Sequence, residues 1–237
     1  AKARVTEEAN ARQAAEEAVV NARIAEAVRA SRRAPEEVTR IVVTKFHPAS
    51  IVTDLHALGV RDVGENRQQE LRAKRESLAP LEGLRWHYIG QAQTNKARHI
   101  RQDADAVHSV DRVRIADALE RAGGGAPVLD VLLQVNLTDD EQRGGVSPAD
   151  VEHLATHVAG ACPSLRLRGV MAVAPLDESP ASAFARLADC AATVRGIVPG
   201  ATWISAGMTG DFAEAIAAGA THLRIGSAIT GPRPMRG

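Results

Sequence analysis

Eight short runs of apolar and β-branched residues alternate with segments of helical pattern along most of the chain. Strands that are separated by helices run parallel in one sheet, and eight such units are the number that closes a barrel. We therefore predict an α/β fold, a single (β/α)8 TIM-type barrel, with an open doubly wound sheet as the alternative. The predicted strands cover residues 39–44, 60–63, 84–88, 106–109, 128–135, 165–171, 202–205 and 222–225.

Helical segments separate these strands and also precede the first one. Residues 6–33 are rich in Ala, Glu and Arg and place apolar residues at helical spacing, which predicts a long opening helix. Residues 228–237 hold two prolines and two glycines and predict an irregular tail. We expect residues 1–38 to pack on the barrel where an eighth helix is missing, and residues 1–237 to form one domain. The predicted helices between strands are residues 49–58, 67–78, 95–101, 112–121, 148–159, 181–197 and 211–218.

Composition argues against several classes of function. The 237-residue chain balances 29 basic against 29 acidic residues and is 3% aromatic, so no surface for nucleic acid is expected. No apolar run approaches the length of about 18 residues that a membrane span needs. The two cysteines, Cys162 and Cys190, have no metal or redox spacing, so we expect reduced thiols, no metal site and a cytoplasmic location.

Lysine is scarce in this chain, since Lys2, Lys45, Lys74 and Lys96 are the only four and arginine supplies nearly all other positive charge. Lys45 follows the apolar run of the first predicted strand, so its amine is expected at the carboxyl end of that strand. A desolvated amine can lose its proton and attack a carbonyl group, which a guanidinium cannot do. The alternative is a lysine that merely extends to solvent. The charged segment around Lys74 is predicted to be a solvated helix face.

The last two predicted strands end in loops of small and hydroxyl-bearing residues. Barrels commonly bind phosphate with these two loops, where glycine lets backbone N–H groups approach an anion. Because both strands lie beside the first strand in a closed barrel, one ligand with an aldehyde and a phosphate fits Lys45 and the loops together. Pyridoxal 5′-phosphate (PLP) is such a ligand, although Thr209 and Asp211 can instead simply cap the next helix. The loop residues are Ser205, Gly207, Thr209, Gly210, Gly226 and Ser227.

Several segments resemble one known family over nearly the whole chain. They include Val-Thr-Lys at 43–45, Gly-Glu-Asn at 64–66, Trp-His-Tyr-Ile-Gly at 86–90 and Arg-Ile-Gly-Ser at 224–227. With these segments the chain resembles the pyridoxal phosphate homeostasis proteins of the YggS type. Two departures are the sequence Ser-Ala-Gly-Met-Thr at 205–209, where the family usually has Ser-Met-Gly-Met-Ser, and Phe46-His47, where Thr-Lys is commoner.

The resemblance implies a barrel like the N-terminal domain of alanine racemase, and a role in PLP homeostasis without robust catalysis. It implies that Lys45 holds PLP as a Schiff base and that Asn66 lies near the ring. It also implies that Arg224 faces the pyridine nitrogen. The phosphate is expected at Ser205, Gly226 and Ser227, together with Gly207 of the same cradle.

Catalysis is not expected on chemical grounds. Racemisation needs a base on each face of the substrate, and the one tyrosine, Tyr88, lies beside His87 in the third predicted strand. The racemases bring their tyrosine on an added domain, and we do not expect one here, since few residues follow the last predicted strand. A cation at the pyridine nitrogen would also weaken the electron sink. An amino-acid racemase remains the alternative; a Schiff-base aldolase is less favoured, because Glu65 is the sole close carboxylate for Lys45.

The expected partners follow from this interpretation. They are PLP itself and either small amines or PLP-accepting apo-enzymes, with no nucleic acid and no membrane, and the protein is expected to be a monomer. Neither His47 nor Tyr88 is given a role, and His153, His157 and His222 are predicted to lie on the surface or on helix faces.

Overall fold

Eight parallel strands close into a barrel in which each strand pairs with its neighbours in chain order, and the last pairs with the first. The structure is a computed structural model that describes residues 2–231, with side chains from residue 11 onward. The predicted fold class, a closed (β/α)8 barrel with a helix before it, is confirmed. The strands are β1 (Thr39–Val43), β2 (Asp62–Glu65), β3 (Arg85–Tyr88), β4 (Ala106–Val110), β5 (Leu129–Gln134), β6 (Leu165–Met171), β7 (Trp203–Ser205) and β8 (His222–Ile225).

Helices surround the barrel, and the opening helix occupies the place beside the last ones, where it contacts α8 and α9. The tail is less irregular than predicted, because residues 227–230 form a helical turn; residues 232–237 lie outside the described residues. In residues 2–231, no helix combines the length and hydrophobicity needed to cross a membrane. The helices are α1 (Lys2–Ala30), α2 (Ser50–Ala57), α3 (Gln68–Ser77), α4 (Ala97–Asp103), α5 (Val113–Arg121), α6 (Val151–Ala161), α7 (Pro180–Ile197), α8 (Phe212–Ala217) and α9 (Ser227–Thr230).

The main core lies between the strands and the helices. Alternate strand residues such as Val42, Val63 and Leu223 pack in one cluster with helix residues such as Leu55 and Leu71, all of them fully buried. Burying each such aliphatic side chain contributes about 1.5–3 kcal/mol. The remaining strand residues point into the barrel, where many are polar.

The amino-terminal end of the barrel is closed by charged and aromatic side chains. Asp130 of β5 accepts hydrogen bonds from Arg85, at 2.9 Å, and from Arg166. The centroid of the Trp203 ring lies 4.2 Å from the centroid of the His222 ring, and the two rings are tilted against each other. His222 is only 5% exposed, so the prediction that it lies on the surface is wrong. Because this end is packed and paired, the loops at the opposite, carboxyl end are the accessible face.

Candidate functional site

Lys45 lies directly after β1, at the carboxyl end of the barrel. Strand β1 pairs with β8 through Val42 and Ile225, and with β2 through Val43 and Gly64. The Lys45 side chain is half-buried, and its Nζ lies 5.8 Å from the centroid of the Phe46 ring. The amine is therefore bordered by the loops that follow β2 and β8. The prediction that the seventh strand also lies beside the first is wrong, because β7 pairs with β8 and not with β1, so its loop is one place further round the barrel.

The turn that carries Lys45 contains a strained residue. Phe46 has a φ of 69°, in the left-handed region that residues with a Cβ rarely adopt. This conformation costs about 1–2 kcal/mol, so the surroundings must stabilise it. The turn is closed by His47, whose N–H donates to the carbonyl of Thr44 at 3.2 Å. Glu70 of α3 accepts the Phe46 N–H at 3.0 Å, which holds the strained residue in place.

A buried ion pair lies behind the same turn. Lys74 of α3 is 6% exposed and pairs with Glu65, which is fully buried, so the prediction that Lys74 is solvated is wrong. Lys74 Nζ also donates to the carbonyl of Thr44 at 2.6 Å, and Thr44 Oγ1 donates to Glu65 Oε1 at 2.6 Å. Burial raises the pKa of Glu65, and the positive charge of Lys74, which lowers it, offsets this effect only in part. Glu65 therefore serves Lys74 and Thr44, and its contacts do not include Lys45.

Arg224 enters the barrel interior from β8. Its Nη1 donates to Ser205 Oγ at 2.7 Å, and its Nη2 donates to the carbonyl of Ala172 at 3.0 Å. Burial lowers the pKa of Arg224 to about 10, so the guanidinium stays protonated at neutral pH. These bonds use two of its five N–H groups, and the Nε–H is among the three that donate to no described residue.

Ser205 lies at the end of β7 and is fully buried. Besides accepting from Arg224, its Oγ lies 2.9 Å from Nδ1 of His108. Arg224 is a donor only, so the serine hydroxyl accepts from Arg224, while the direction of its bond with His108 depends on the tautomer of that ring. Both partners of the hydroxyl thus lie inside the barrel. In this arrangement the Ser205 side chain holds Arg224 inside the barrel and is not directed to the loops that follow β7 and β8.

A chain of hydrogen bonds continues across the barrel from His108. Its Nε2 lies 2.9 Å from Nδ1 of His87, and Nε2 of His87 lies 2.8 Å from Oδ1 of Asp62. Since the aspartate can only accept, Nε2 of His87 carries a hydrogen and donates it to Asp62. Burial lowers the pKa of His108 well below its ordinary value. Residue spacing alone gave no sign of this chain, because its members meet from β2, β3, β4, β7 and β8.

Gly207 shapes the loop after β7. Its φ is 95°, and a Cβ there would lie 2.8 Å from the Cβ of Ala215. Its carbonyl accepts the N–H of Arg224 at 2.9 Å, which joins the loop after β7 to strand β8. Asp211 occupies the N-cap position of α8, but its side chain makes no cap bond, because its carboxylate accepts the N–H of Met208 at 2.7 Å instead.

Backbone N–H groups in these two loops are left unpaired. Within residues 2–231, the amides of Gly207, Thr209, Gly226 and Ser227 donate no hydrogen bond to another described residue. Gly226 and Ser227 lead into α9, so their amides point to the same end as the first turn of that helix. Two adjacent loops therefore offer several free donors, which is the arrangement that binds an oxyanion.

Asn66 follows β2 on the other side of Lys45. Its Oδ1 is buried and has no partner among the described residues. Gly90 packs against the Asn66 backbone so closely that a Cβ at position 90 would lie 1.8 Å from the Asn66 carbonyl oxygen. The Asn66 backbone is thus held in place, while its side-chain oxygen accepts no hydrogen bond from a described residue. A buried acceptor without a partner is costly and indicates a ligand or water at this position.

His87 and Tyr88 of β3 point in opposite directions. His87 faces the barrel interior, as described above, whereas the Tyr88 hydroxyl donates to the carbonyl of Gln91 at 3.0 Å and the ring packs in the outer core. Tyr88 therefore has no place at the barrel mouth.

One group of metal-ligating residue types lies away from the mouth, between α5 and α6. It consists of Asp117, His157 and Cys162. His157 Nε2 lies 2.7 Å from Asp117 Oδ1, which pairs these two directly. Burial raises the pKa of the Cys162 thiol to about 11. We assign no metal to this group.

The chain resembles known proteins in both sequence and structure. A family described as "Alanine racemase, N-terminal domain" matches residues 19–234. A pyridoxal phosphate homeostasis protein from Pseudomonas aeruginosa is 44% identical over 220 residues, which cover 91% of this chain and 94% of the relative. The chain belongs to the pyridoxal phosphate homeostasis proteins. The family resemblance read from the motifs is therefore confirmed.

Solved structures agree with membership of the pyridoxal phosphate homeostasis family. PipY from Synechococcus elongatus, solved with PLP bound, is 35% identical with a TM-score of 0.77, and the match covers 88% of this chain and 100% of that one. Alanine racemase from Corynebacterium glutamicum is 14% identical with a TM-score of 0.66, covering 81% of this chain and 55% of that one. The second match shows the shared barrel fold alone.

Proposed function

We propose that the protein binds PLP at the carboxyl end of its barrel, holds it as a Schiff base on Lys45, and serves PLP homeostasis. The observation that carries the proposal is the half-buried amine after β1, at the same end of the barrel as two adjacent loops with unpaired amides, those after β7 and β8. PLP has an aldehyde for the first and a phosphate for the second. The relative from Pseudomonas aeruginosa carries the homeostasis name, and PipY was solved with PLP.

The residues of the site fit this cofactor. The amides of Gly207, Gly226 and Ser227 are the proposed phosphate ligands, because the described residues offer them no other acceptor. The unpartnered Oδ1 of Asn66 is proposed to lie beside the ring. Ser205, predicted as a phosphate ligand, is proposed to act through Arg224 instead, since its hydroxyl is already used by Arg224 and His108.

Arg224 supports a carrier more than a catalyst. When bound, PLP supplies an electron sink whose strength depends on protonation of the pyridine nitrogen. A guanidinium that stays charged and is fixed by Ser205 and Ala172 disfavours a proton on a nitrogen placed against it. Facing that nitrogen, Arg224 would keep the ring neutral and carbanion chemistry weak.

A second base for racemisation is not offered by the tyrosine of this chain. Tyr88 is 3% exposed and its hydroxyl is bonded to Gln91 outside the barrel. The proposal accordingly favours binding and release of PLP over turnover of amino acids. Exchange with small amines or apo-enzymes, a monomeric state and a cytoplasmic location, where the buried thiols Cys162 and Cys190 stay reduced, remain predictions.

The experiment that tests the function combines a thermal melt with a turnover assay. PLP should raise the melting temperature, since a ligand at 100 times its Kd stabilises the folded state by about 2.7 kcal/mol. Pyridoxal without phosphate should raise it less, because the amides of the two loops then bind nothing. Conversion of L- to D-alanine should stay at the rate of free PLP. An equal rise in melting temperature with PLP and with pyridoxal, or alanine turnover well above the rate with free PLP, would overturn the proposal.

A further inference from the structure

Helix α3 contacts the backbone on both sides of Lys45. Lys74 Nζ donates to the carbonyl of Thr44 at 2.6 Å, and the Phe46 N–H donates to Glu70 Oε2 at 3.0 Å. That carbonyl belongs to the peptide group before the Cα of Lys45, and that N–H belongs to the peptide group after it. Two side chains thus fix the two planar units whose rotation defines φ and ψ of Lys45.

The two contacts come from one face of one helix. Glu70 and Lys74 are four residues apart, so their side chains are neighbours along α3 (Gln68–Ser77). Glu65 supplies the buried negative charge that keeps Lys74 in place, and it is tied in turn to the Thr44 hydroxyl. Because charges are costly to bury, this group restrains the turn only as long as all its members stay paired.

The restrained turn is also the strained one. Phe46 keeps a φ of 69° directly after Lys45, and its N–H is the group that Glu70 accepts. A non-glycine residue persists in this region when neighbouring contacts determine its conformation, and such strain is common at ligand sites. A structural ion pair alone explains Glu65 with Lys74, but it does not explain why both peptide groups flanking Lys45 are held.

We propose that Glu70 and Lys74 are positioning residues for Lys45, with Glu65 as the counter-ion of Lys74. They hold the backbone of residues 44–47 so that the Lys45 amine stays directed to the loops after β7 and β8. This inference rests on the proposed binding of PLP at Lys45. Neither side chain touches the cofactor; both act through the conformation of Lys45.

The first test uses Glu70→Ala, which removes the acceptor of the Phe46 N–H from a partly exposed position. In the protein without PLP, hydrogen exchange of the Phe46 amide should become at least about tenfold faster, the factor expected from losing a hydrogen bond to a charged group. The rate of Schiff-base formation with PLP, followed by absorbance, should fall by a similar factor. Glu70→Gln keeps an acceptor oxygen and should restore most of both rates. Glu76→Ala is the matched control, because Glu76 lies on the same helix and is 64% exposed.

The second test addresses Lys74. Replacing Lys74 alone would leave Glu65 charged and buried without its partner. The test therefore uses the double variant with Glu65→Gln and Lys74→Met. The glutamine can still accept from the Thr44 hydroxyl, and only the contact with the Thr44 carbonyl and the charges are removed. PLP capture should again be slower by at least about tenfold. Lys96→Met controls for loss of a lysine elsewhere.

The outcomes separate this inference from the function on which it rests. Faster exchange at Phe46 with slower capture of PLP supports the positioning role. Unchanged exchange in Glu70→Ala, or faster exchange with unchanged capture, overturns it while PLP binding at Lys45 stands. If the wild-type protein forms no Schiff base at Lys45, the proposed function fails and the positioning role fails with it.

Discussion

At the scale of single residues, Arg224 is the buried cation that we propose to face the pyridine nitrogen of PLP. Arg224→Ala removes a buried guanidinium that donates to Ser205 and to the carbonyl of Ala172. Losing a charge-assisted hydrogen bond to the cofactor costs about 1.5–3 kcal/mol, so the Kd for PLP should rise about 10- to 100-fold. Fluorescence or absorbance titration measures the Kd. Arg121→Ala is the control, because Arg121 is exposed; an unchanged Kd in Arg224→Ala would contradict the placement.

Individual residues also show how far sequence reasoning reaches. Lys45 was found because it is a lysine at the end of a β-type run, and the structure places it at the barrel mouth. The prediction for Lys74 is wrong, because its neighbours in sequence are charged and its partner Glu65 comes from another element. The prediction for His222 is wrong for the same reason, since Trp203 of the adjacent strand covers it. Burial of a polar residue depends on contacts distant in sequence, which local pattern does not contain.

At the scale of elements, the loop after β7 depends on one glycine. Gly207→Ala places a Cβ at a φ of 95° and 2.8 Å from the Cβ of Ala215, so it should lower the free energy of unfolding by about 1–3 kcal/mol. Urea unfolding measures this. Gly200→Ala is the matched control, because no atom lies within 4 Å of a Cβ there and its φ is not positive. Equal stability of both variants would mean that the loop adopts another conformation.

The elements themselves were largely predictable. Strands β6 and β8 begin and end where their apolar runs do, because these runs are bounded by turn residues. Strand β2 was placed two residues too early, since Gly64 and Glu65 do not look like strand residues although they pair with β3. The turn at Ser227–Thr230 was missed, because four residues show no helical period.

At the scale of the whole molecule, the polar barrel interior makes stability depend on pH. Burial, with the nearby charge of His87, lowers the pKa of His222 to about 3, and burial lowers the pKa of His108 well below its ordinary value. Unfolding returns each histidine to a pKa of about 6.5, so below that pH the unfolded chain binds protons that the folded chain does not. Stability is therefore full above pH 6.5 and is lost as pH falls from about 6.5 toward 3.

This linkage gives a measurable slope. Each of these histidines should reduce the free energy of unfolding by up to about 1.4 kcal/mol per pH unit below about pH 6. Urea unfolding at pH 5.5 and 4.5 measures it. His222→Gln should make the slope shallower by about that amount whatever its stability at pH 7, while the exposed His153→Gln should leave it unchanged. An unaltered slope in His222→Gln would show that His222 is protonated in the folded protein.

The whole site depends on the Lys45 amine, and reduction with borohydride tests it most directly. The protein is mixed with PLP, reduced, digested and mapped by mass spectrometry, beside Lys45→Arg, which keeps the charge but cannot form the adduct. The account predicts a pyridoxyl-phosphate adduct on the peptide with Lys45 and none in Lys45→Arg. An adduct on Lys74 or Lys96 instead, or the same adduct yield in Lys45→Arg, would contradict it.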